Sequence, residues 1–358
     1  MEKVKYYNSI AKVPDLERVD DELIKIEEQY KFRTNSYYNS LIDWSNPNDP
    51  LLNIIVPRKE EDMEWGELDA SNETMYQPVK GLEHKYSPTA LLLCNDVCGA
   101  YCRFCFRKRL FQNENDEVER DVSAGVKYIE EHPEISNVLL TGGDPLMMSN
   151  RRVREILSDL KQIDSVKIVR FGTKMLAFNP MRVDEEFLAI VKDFNEEKQV
   201  FVMVHYNHIN ELTKESIQAI TALKEAGATI LNQTPIIKGV NDDPEMIREL
   251  HDQLTYVGVV PYYVFACRPT KGNYTYAVPV EQAHDIYTEA IRRSSGIGKN
   301  ARFIMSHHSG KCEVVGKTDT TIIFKKHNIV HHENNGGIMM AERNPSAYWL
   351  DDYTFTPQ

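Results

Sequence analysis

An α/β fold built on a parallel sheet is predicted by three observations along this 358-residue chain. From Leu91 onward, short apolar runs recur, each run is followed by polar loop residues, and stretches of helical length separate them. Repeated βα alternation implies parallel strands joined by right-handed crossovers. The strand candidates are 90–94, 137–141, 166–171, 200–205, 229–233 and 261–265, all short and rich in apolar residues. Helical patterning at 152–162, 214–226, 243–256 and 279–293 supplies crossovers. Six units running in one direction make an incomplete (β/α)6 barrel, open on one side.

In chain order, residues 1–80 come first as an acidic N-terminal helical region. Within it, Leu23, Ile24 and Ile26 sit at nearby helical spacings among Asp20, Asp21, Glu22, Lys25 and Glu27. The barrel follows over 81–300. After Ala301 the pattern changes to short β-like pieces at 314–315 and 321–324 and a polar, aromatic-containing tail, so 301–358 reads as a small β-containing extension. The length suits one large barrel with appendages.

A formal charge of −12 argues against a general nucleic-acid binder, whose footprint is a basic patch on a basic domain. Six cysteines, three of them packed into one motif, do not form a secreted disulfide framework. The N-terminus lacks an apolar core of signal-peptide length, and no segment approaches the ~18 apolar residues of a membrane helix. A soluble, cytoplasmic protein is expected, without nucleic-acid or membrane partners.

The chemistry concentrates in Cys98-Gly99-Ala100-Tyr101-Cys102-Arg103-Phe104-Cys105. Three thiolates at this spacing suit three irons of a 4Fe–4S cluster and leave one iron open. A structural zinc site wants four closed ligands, usually two separated C-x-x-C pairs, and there is no second pair. Cys94, four residues earlier, lies inside an apolar run and reads as a buried free thiol. The motif leaves the first strand candidate and runs into Arg107-Lys108-Arg109, as a loop facing an anionic ligand at the C-terminal end of a barrel strand would. Thr141-Gly142-Gly143-Asp144-Pro145 follows the second strand, where glycines let backbone approach a ligand; an ordinary turn is the plainer alternative.

Cys98-x3-Cys102-x2-Cys105 with Phe104 resembles the radical S-adenosylmethionine signature, and the string Tyr101 to Arg109 resembles the lysine 2,3-aminomutase family within it. Further matches follow in order: Leu139 to Leu146, His205-Tyr206-Asn207-His208, Asn232-Gln233, Gly239-Val240-Asn241-Asp242 and Pro261-Tyr262-Tyr263. The likeness runs from about Tyr37 to about Gly316. It implies the partial barrel of that superfamily, with Cys98, Cys102 and Cys105 as cluster ligands. Phe104, Gly142, Gly143, Asp144, His205 and Gln233 would lie against S-adenosylmethionine or the second cofactor, pyridoxal 5′-phosphate. Lys311 would bind the latter covalently and act in catalysis, although here His307 and His308 stand where the family has a longer glycine run. For His205 a structural role is the competing reading, and His331-His332 is assigned no metal.

By the same resemblance Arg107 would hold the substrate α-carboxylate. Lysine-specific members receive the distant ammonium with two acidic residues, and those places here read Arg268 and Ser306. A cation facing an ammonium is repulsive, so an acidic amino acid is the expected substrate, with Arg268 on its side-chain carboxylate; a structural pairing of Arg268 with Asp144 is the alternative. The implied reaction moves the amino group from C2 to C3, with a reducing electron donor as partner and a homo-oligomeric state. The rivals are a radical enzyme that modifies proteins or peptides and a non-catalytic iron–sulfur sensor.

Overall fold

The structure is a computed structural model and describes residues 4–16, 19–112, 115–329 and 337–356; His331-His332 lies outside them. The N-terminal region holds β1 (Tyr6–Tyr7), α1 (Asp21–Gln29), β2 (Thr34–Asn35), α2 (Ser36–Asn39) and α3 (Pro50–Ile55). Each helix starts on a side chain that satisfies its free amides: Asp20 accepts from Leu23, Asn35 from Tyr38, and Asp49 from Leu51 and Leu52. The segment from 56 to 81 is loop and 3-10 turns rather than helix. Its residues Glu61 and Glu73 are buried.

An eleven-stranded sheet follows in sequence order. Its strands are β3 (Leu82–Tyr86), β4 (Thr89–Asn95), β5 (Asn137–Gly142), β6 (Ile168–Thr173), β7 (Gln199–Val204), β8 (Thr229–Pro235), β9 (Val260–Phe265), β10 (Arg302–His307), β11 (Gly310–Lys317), β12 (Thr321–Ile329) and β13 (Ile338–Glu342). β4 to β10 are parallel, while β3 and the β11–β13 meander are antiparallel additions at the two sides. The helices between are α4 (Ser123–Glu131), α5 (Asn150–Lys161), α6 (Met175–Phe178), α7 (Glu185–Asn195), α8 (Lys214–Glu225), α9 (Pro244–Tyr256) and α10 (Val280–Arg293).

The six β/α units are present, and the parallel sheet gains a seventh strand, β10, in what the sequence marks as extension. Phe303, Ile304 and Met305 at its centre are fully buried, but an apolar run of three falls below the length that signals a strand. The crossovers show ordinary amphipathic logic. α5 buries Val153, Ile156, Leu157 and Leu160, and α7 buries Phe187, Ile190, Val191 and Phe194, each a single helical stripe facing the sheet. Ser149, Asp184, Thr213 and Asp243 cap α5, α7, α8 and α9.

The sheet curls until β3 at one side meets the turn between β10 and β11. Lys85 Nζ on β3 donates to the His307 carbonyl at 3.1 Å, and the Tyr76 hydroxyl reaches the His308 carbonyl at 3.4 Å. Glu67 bridges to Thr270 beside the end of β9. Two hydrophobic clusters support this shape, one under β4–β8 and the N-terminal region, the other under β9–β13 and α10. None of the described helices is long and apolar enough to cross a membrane.

Candidate active site

The cysteine motif occupies the loop after β4, with Cys98, Cys102 and Cys105 all partly exposed. Cys94 differs: it sits in β4, 3% exposed, its Sγ 3.6 Å from the Thr141 carbonyl, and burial pushes its thiol up to about 12. Burial raises the three loop thiols too, and for Cys98 the neighbouring Cys105 and Cys102 add to the rise. Three soft donors gathered on one loop are the donor set a cationic iron–sulfur core would satisfy. The Arg107 backbone amide points at Cys105 Sγ from 3.4 Å, a further donor toward the same place.

Gly142 and Gly143 hold this loop in position. Gly142 has φ +105°, and a Cβ on it would lie 2.5 Å from the Asn95 carbonyl. A Cβ on Gly143 would lie 2.6 Å from the Val97 amide, and Gly143 and Asp144 donate their amides to Asn95 and Val97. The glycines therefore let two strand-end loops touch, a close approach that any side chain would prevent. Asp144, expected against a cofactor, is held by the chain's own donors. Its carboxylate is buried and accepts from Thr173 Oγ1 at 2.8 and 2.9 Å, from the Lys174 amide at 2.8 Å and from the Leu146 amide at 3.0 Å. Burial raises it to about 6, against the pull of those bonds. Its oxygens are spent on β6 and its own turn, and it makes no pair with Arg268.

Phe104 belongs to the core margin, edge-on to Tyr276, with its carbonyl receiving Asn273 Nδ2 at 2.9 Å. His205 lies at the end of β7, its Nδ1 3.2 Å from the Gln233 carbonyl at the end of β8, which brings these two together. Burial, then Lys174, depress His205 to about 4, so it is neutral. Lys174 itself donates to the His205 carbonyl at 2.6 Å and Asn207 Oδ1 at 2.7 Å, and pairs with buried Glu211 at 2.6 Å.

Arg107, expected on the substrate, is likewise engaged by the chain. Its Nε and Nη2 each donate to a Glu73 oxygen at 3.1 Å and its Nη1 to Thr141 Oγ1 at 2.8 Å, so the fork expected for substrate is already filled. Burial acts to raise Glu73, but Arg107, Arg109 and Arg268 overcome it and leave the carboxylate well below its usual range. Glu83 beside it is pushed up by burial and by the Glu73 charge.

Arg268 follows β9, stacked 3.7 Å over the Phe106 ring, with Nη1 on Ser71 Oγ at 2.7 Å and only a 3.8 Å approach to Glu73. Lys311 stands opposite Ser306 in the β10–β11 ladder, its Nζ 4.7 Å above the centre of the Tyr263 ring. His307 and His308 make a tight hairpin before it, with His307 anchored to Ser309 at 2.8 Å and to Asp351 at 3.1 Å. Burial, and then Arg170, Arg268 and Lys85 in that order, lower Lys311 to about 7. Lys85 is in turn lowered to about 8 by burial and Arg268, and Arg268 to about 10, by burial above all. Four cations thus press on one another at the mouth, an arrangement that anions relieve.

The sequence reading missed Glu61, Glu73, Lys85, Arg170 and Lys174. A signal existed for Arg170, a lone charge within the apolar run of β6, and for Lys85, a cation in the segment leading to β4. None existed for Glu61 or Glu73, which lie among the many acidic residues of the first 80.

A model of the radical SAM superfamily matches residues 93–251. A protein of Aquifex aeolicus (strain VF5), provisionally named an L-lysine 2,3-aminomutase, is 53% identical over 350 residues, 96% of this chain and 93% of that one. The L-lysine 2,3-aminomutase of Acetoanaerobium sticklandii is 32% identical over 89% of this chain and 75% of its own. The chain belongs to the lysine 2,3-aminomutase family. The glutamate 2,3-aminomutase of Clostridioides difficile (strain 630) is also similar, at 32% identity over 81% of this chain and 69% of that protein. As a radical SAM aminomutase-family member the chain is an isomerase that works with an iron–sulfur cluster and S-adenosylmethionine.

Proposed function

We propose that this aminomutase-family chain is pyridoxal phosphate-dependent and acts on an acidic amino acid rather than lysine. The observation that carries the reading is the cationic surround of Lys311: burial and then Arg170, Arg268 and Lys85 depress it, while the carboxylates that act on Lys85 and Arg268, namely Glu73, Glu83 and Asp69, are themselves paired with Arg107 or Arg109. A phosphate and two carboxylates would match that field, whereas a lysine side chain would bring a further ammonium into it. The relative that is 53% identical is named for lysine and the one named for glutamate is 32% identical, so the substrate reading rests on the charges around Lys311 and not on overall identity.

The donor sets fit the groups they would hold. Cys98, Cys102 and Cys105 would ligate the cluster, and Lys311, whose amine burial lowers well below its ordinary range, would hold the pyridoxal aldehyde. When bound, the cluster supplies one electron to S-adenosylmethionine and pyridoxal phosphate anchors the migrating amine. Tyr263 lies under the Lys311 amine and offers a flat apolar wall. Neutral His205, held by Gln233, faces the same strand ends without adding charge. Arg268, stacked on Phe106, would take the side-chain carboxylate, its Nε and Nη2 having no hydrogen bond among the described residues. Gly142, Gly143 and Asp144 keep the cysteine loop against β5.

The test is anaerobic turnover of an amino acid panel by the reconstituted enzyme, with borohydride trapping and peptide mapping of the pyridoxyl label. Glutamate or aspartate converted to its β-isomer, with the label on Lys311, is expected. Efficient lysine turnover would overturn the substrate assignment, and a label on another lysine would overturn the pyridoxal site.

A further inference from the structure

Among the three consecutive cations after the cysteine motif, Lys108 is the one without a counter-charge. Arg107 has Glu73, and Arg109 has Glu117 and Glu73, all within 3.1 Å. Lys108 opens a short 3-10 turn, Lys108–Phe111, and is 7% exposed. Its Nζ has no hydrogen-bond partner among the described residues. The ammonium lies 4.4 Å over the Tyr30 ring. The chain at Gly272 closes over it, since a Cβ there would come within 3.0 Å of Nζ. The carboxylate whose charge acts on Lys108, Glu61, is committed to Arg103 through both oxygens and to the Tyr276 hydroxyl.

The same small cavity is lined by Lys108, Tyr30, Cys102 and Cys105. A buried ammonium is costly unless paired, and here the missing partner is supplied on the cysteine side. We propose that Lys108 sets the reduction potential of the cluster, by holding an uncompensated positive charge against the group that Cys98, Cys102 and Cys105 ligate. A 4Fe–4S core bound by three thiolates is anionic, and it gains one more negative charge when it takes an electron from a one-electron reductant. A fixed cation beside it stabilises the reduced form more than the oxidised one, which raises the potential; net local charge is one of the levers on such clusters. The inference rests on the cluster reading of the cysteines but not on the substrate or on pyridoxal phosphate.

The experiment is an anaerobic redox titration of the reconstituted protein, following the reduced cluster by electron paramagnetic resonance, after iron content has been measured for every variant. Native protein that takes up no iron would defeat the cluster reading itself, before any variant is compared. Lys108→Met and Lys108→Gln are expected to load iron like the native chain. At a fixed ambient potential their ratio of reduced to oxidised cluster should fall about tenfold, a midpoint ~59 mV more negative for one electron. Lys108→Arg, which keeps the charge, should stay within about threefold of native, ~28 mV on the same scale. Neutral variants that load iron with an unmoved midpoint would overturn the proposal. So would an equal shift in the arginine variant, because the effect would then follow shape rather than charge. If both neutral variants fail to bind iron while the arginine variant binds it, the charge serves assembly and the proposal as stated is wrong.

Discussion

The two walls of the barrel mouth treat buried charge in opposite ways. On the cysteine wall the arginines are neutralised by the chain's own carboxylates: Arg103 by Glu61, Arg107 by Glu73, Arg109 by Glu117, and likewise Lys174 by Glu211. Around the hairpin, Lys311 and Arg268 are joined by Lys85 from β3 and Arg170 from β6, and the hydrogen bonds seen for Lys85, Arg170 and Arg268 go to neutral groups, namely the His307 carbonyl, Asn137 and Ser71. The matched arginines of the first wall are scaffold, complete before ligand arrives, and Lys108 is the cation there left facing the cluster side. A wall whose charges are unmatched is waiting for anions, and its strain is relieved on binding.

Removing cluster ligands tests the first wall most severely. Alanine at any one of Cys98, Cys102 or Cys105 should abolish iron loading and S-adenosylmethionine cleavage, while Cys94→Ala should retain both, as read by iron content and anaerobic product analysis. Loss of iron in the Cys94 variant with retention in a Cys98 variant would reassign the triad. Next in size is Glu61→Ala, which leaves Arg103, 2% exposed, without its bidentate partner and Tyr276 without its acceptor. Breaking a buried pair on one side costs about 3–5 kcal/mol, measurable as a fall in the urea midpoint. A loss below about 1 kcal/mol would mean that water reaches this wall.

How much of this was legible beforehand follows the same division. The parallel sheet, the cysteine loop and the glycines after β5 carry local signals, because strand periodicity, thiol spacing and paired glycines are written in consecutive residues, whereas Lys311 is read from the family resemblance alone. Glu61 and Glu73 carry none. Their partners lie 42 and 34 residues away, and what makes them special is burial opposite an arginine. The same blindness explains Arg107: its place after Cys105 suggests a free fork, and only the fold reveals that the N-terminal segment fills it. Strand β10 was hidden because three apolar residues suffice when a preformed β9 edge and α10 supply the rest of the burial.

The second wall is probed by Arg268→Ala. A charge-assisted contact to a substrate carboxylate is worth roughly 1.5–3 kcal/mol, so the ratio of acidic to neutral substrate turnover should fall about tenfold to a hundredfold. Fold stability should hardly change, since Arg268 has no close carboxylate to orphan. Unchanged preference would place the side chain outside the substrate's reach and return the hairpin wall to structural duty.

The smallest expected effect concerns stability and comes from Lys311. Its amine is lowered from 10.5 to about 7 in the folded chain, first by burial and then by Arg170, Arg268 and Lys85. Between those two values the unfolded chain binds more protons at this position than the folded one, so Lys311's contribution to stability rises with pH across that window. Below pH 7 the folded chain must carry a buried ammonium among other cations or give up its proton, and either way the lysine costs stability. Lys311→Met in pyridoxal-free protein should therefore be more stable than native by about 1–2 kcal/mol at pH 7, far less than the full shift would imply, because the open mouth admits water. The difference should shrink as pH rises toward 10 and the unfolded lysine also loses its proton. Paired urea titrations at pH 7 and 9.5 read this directly. A variant less stable than native at both values would show that the hydrocarbon chain against Tyr263, not the charge, dominates at this site, and the picture of a hairpin wall strained for want of anions would fail with it.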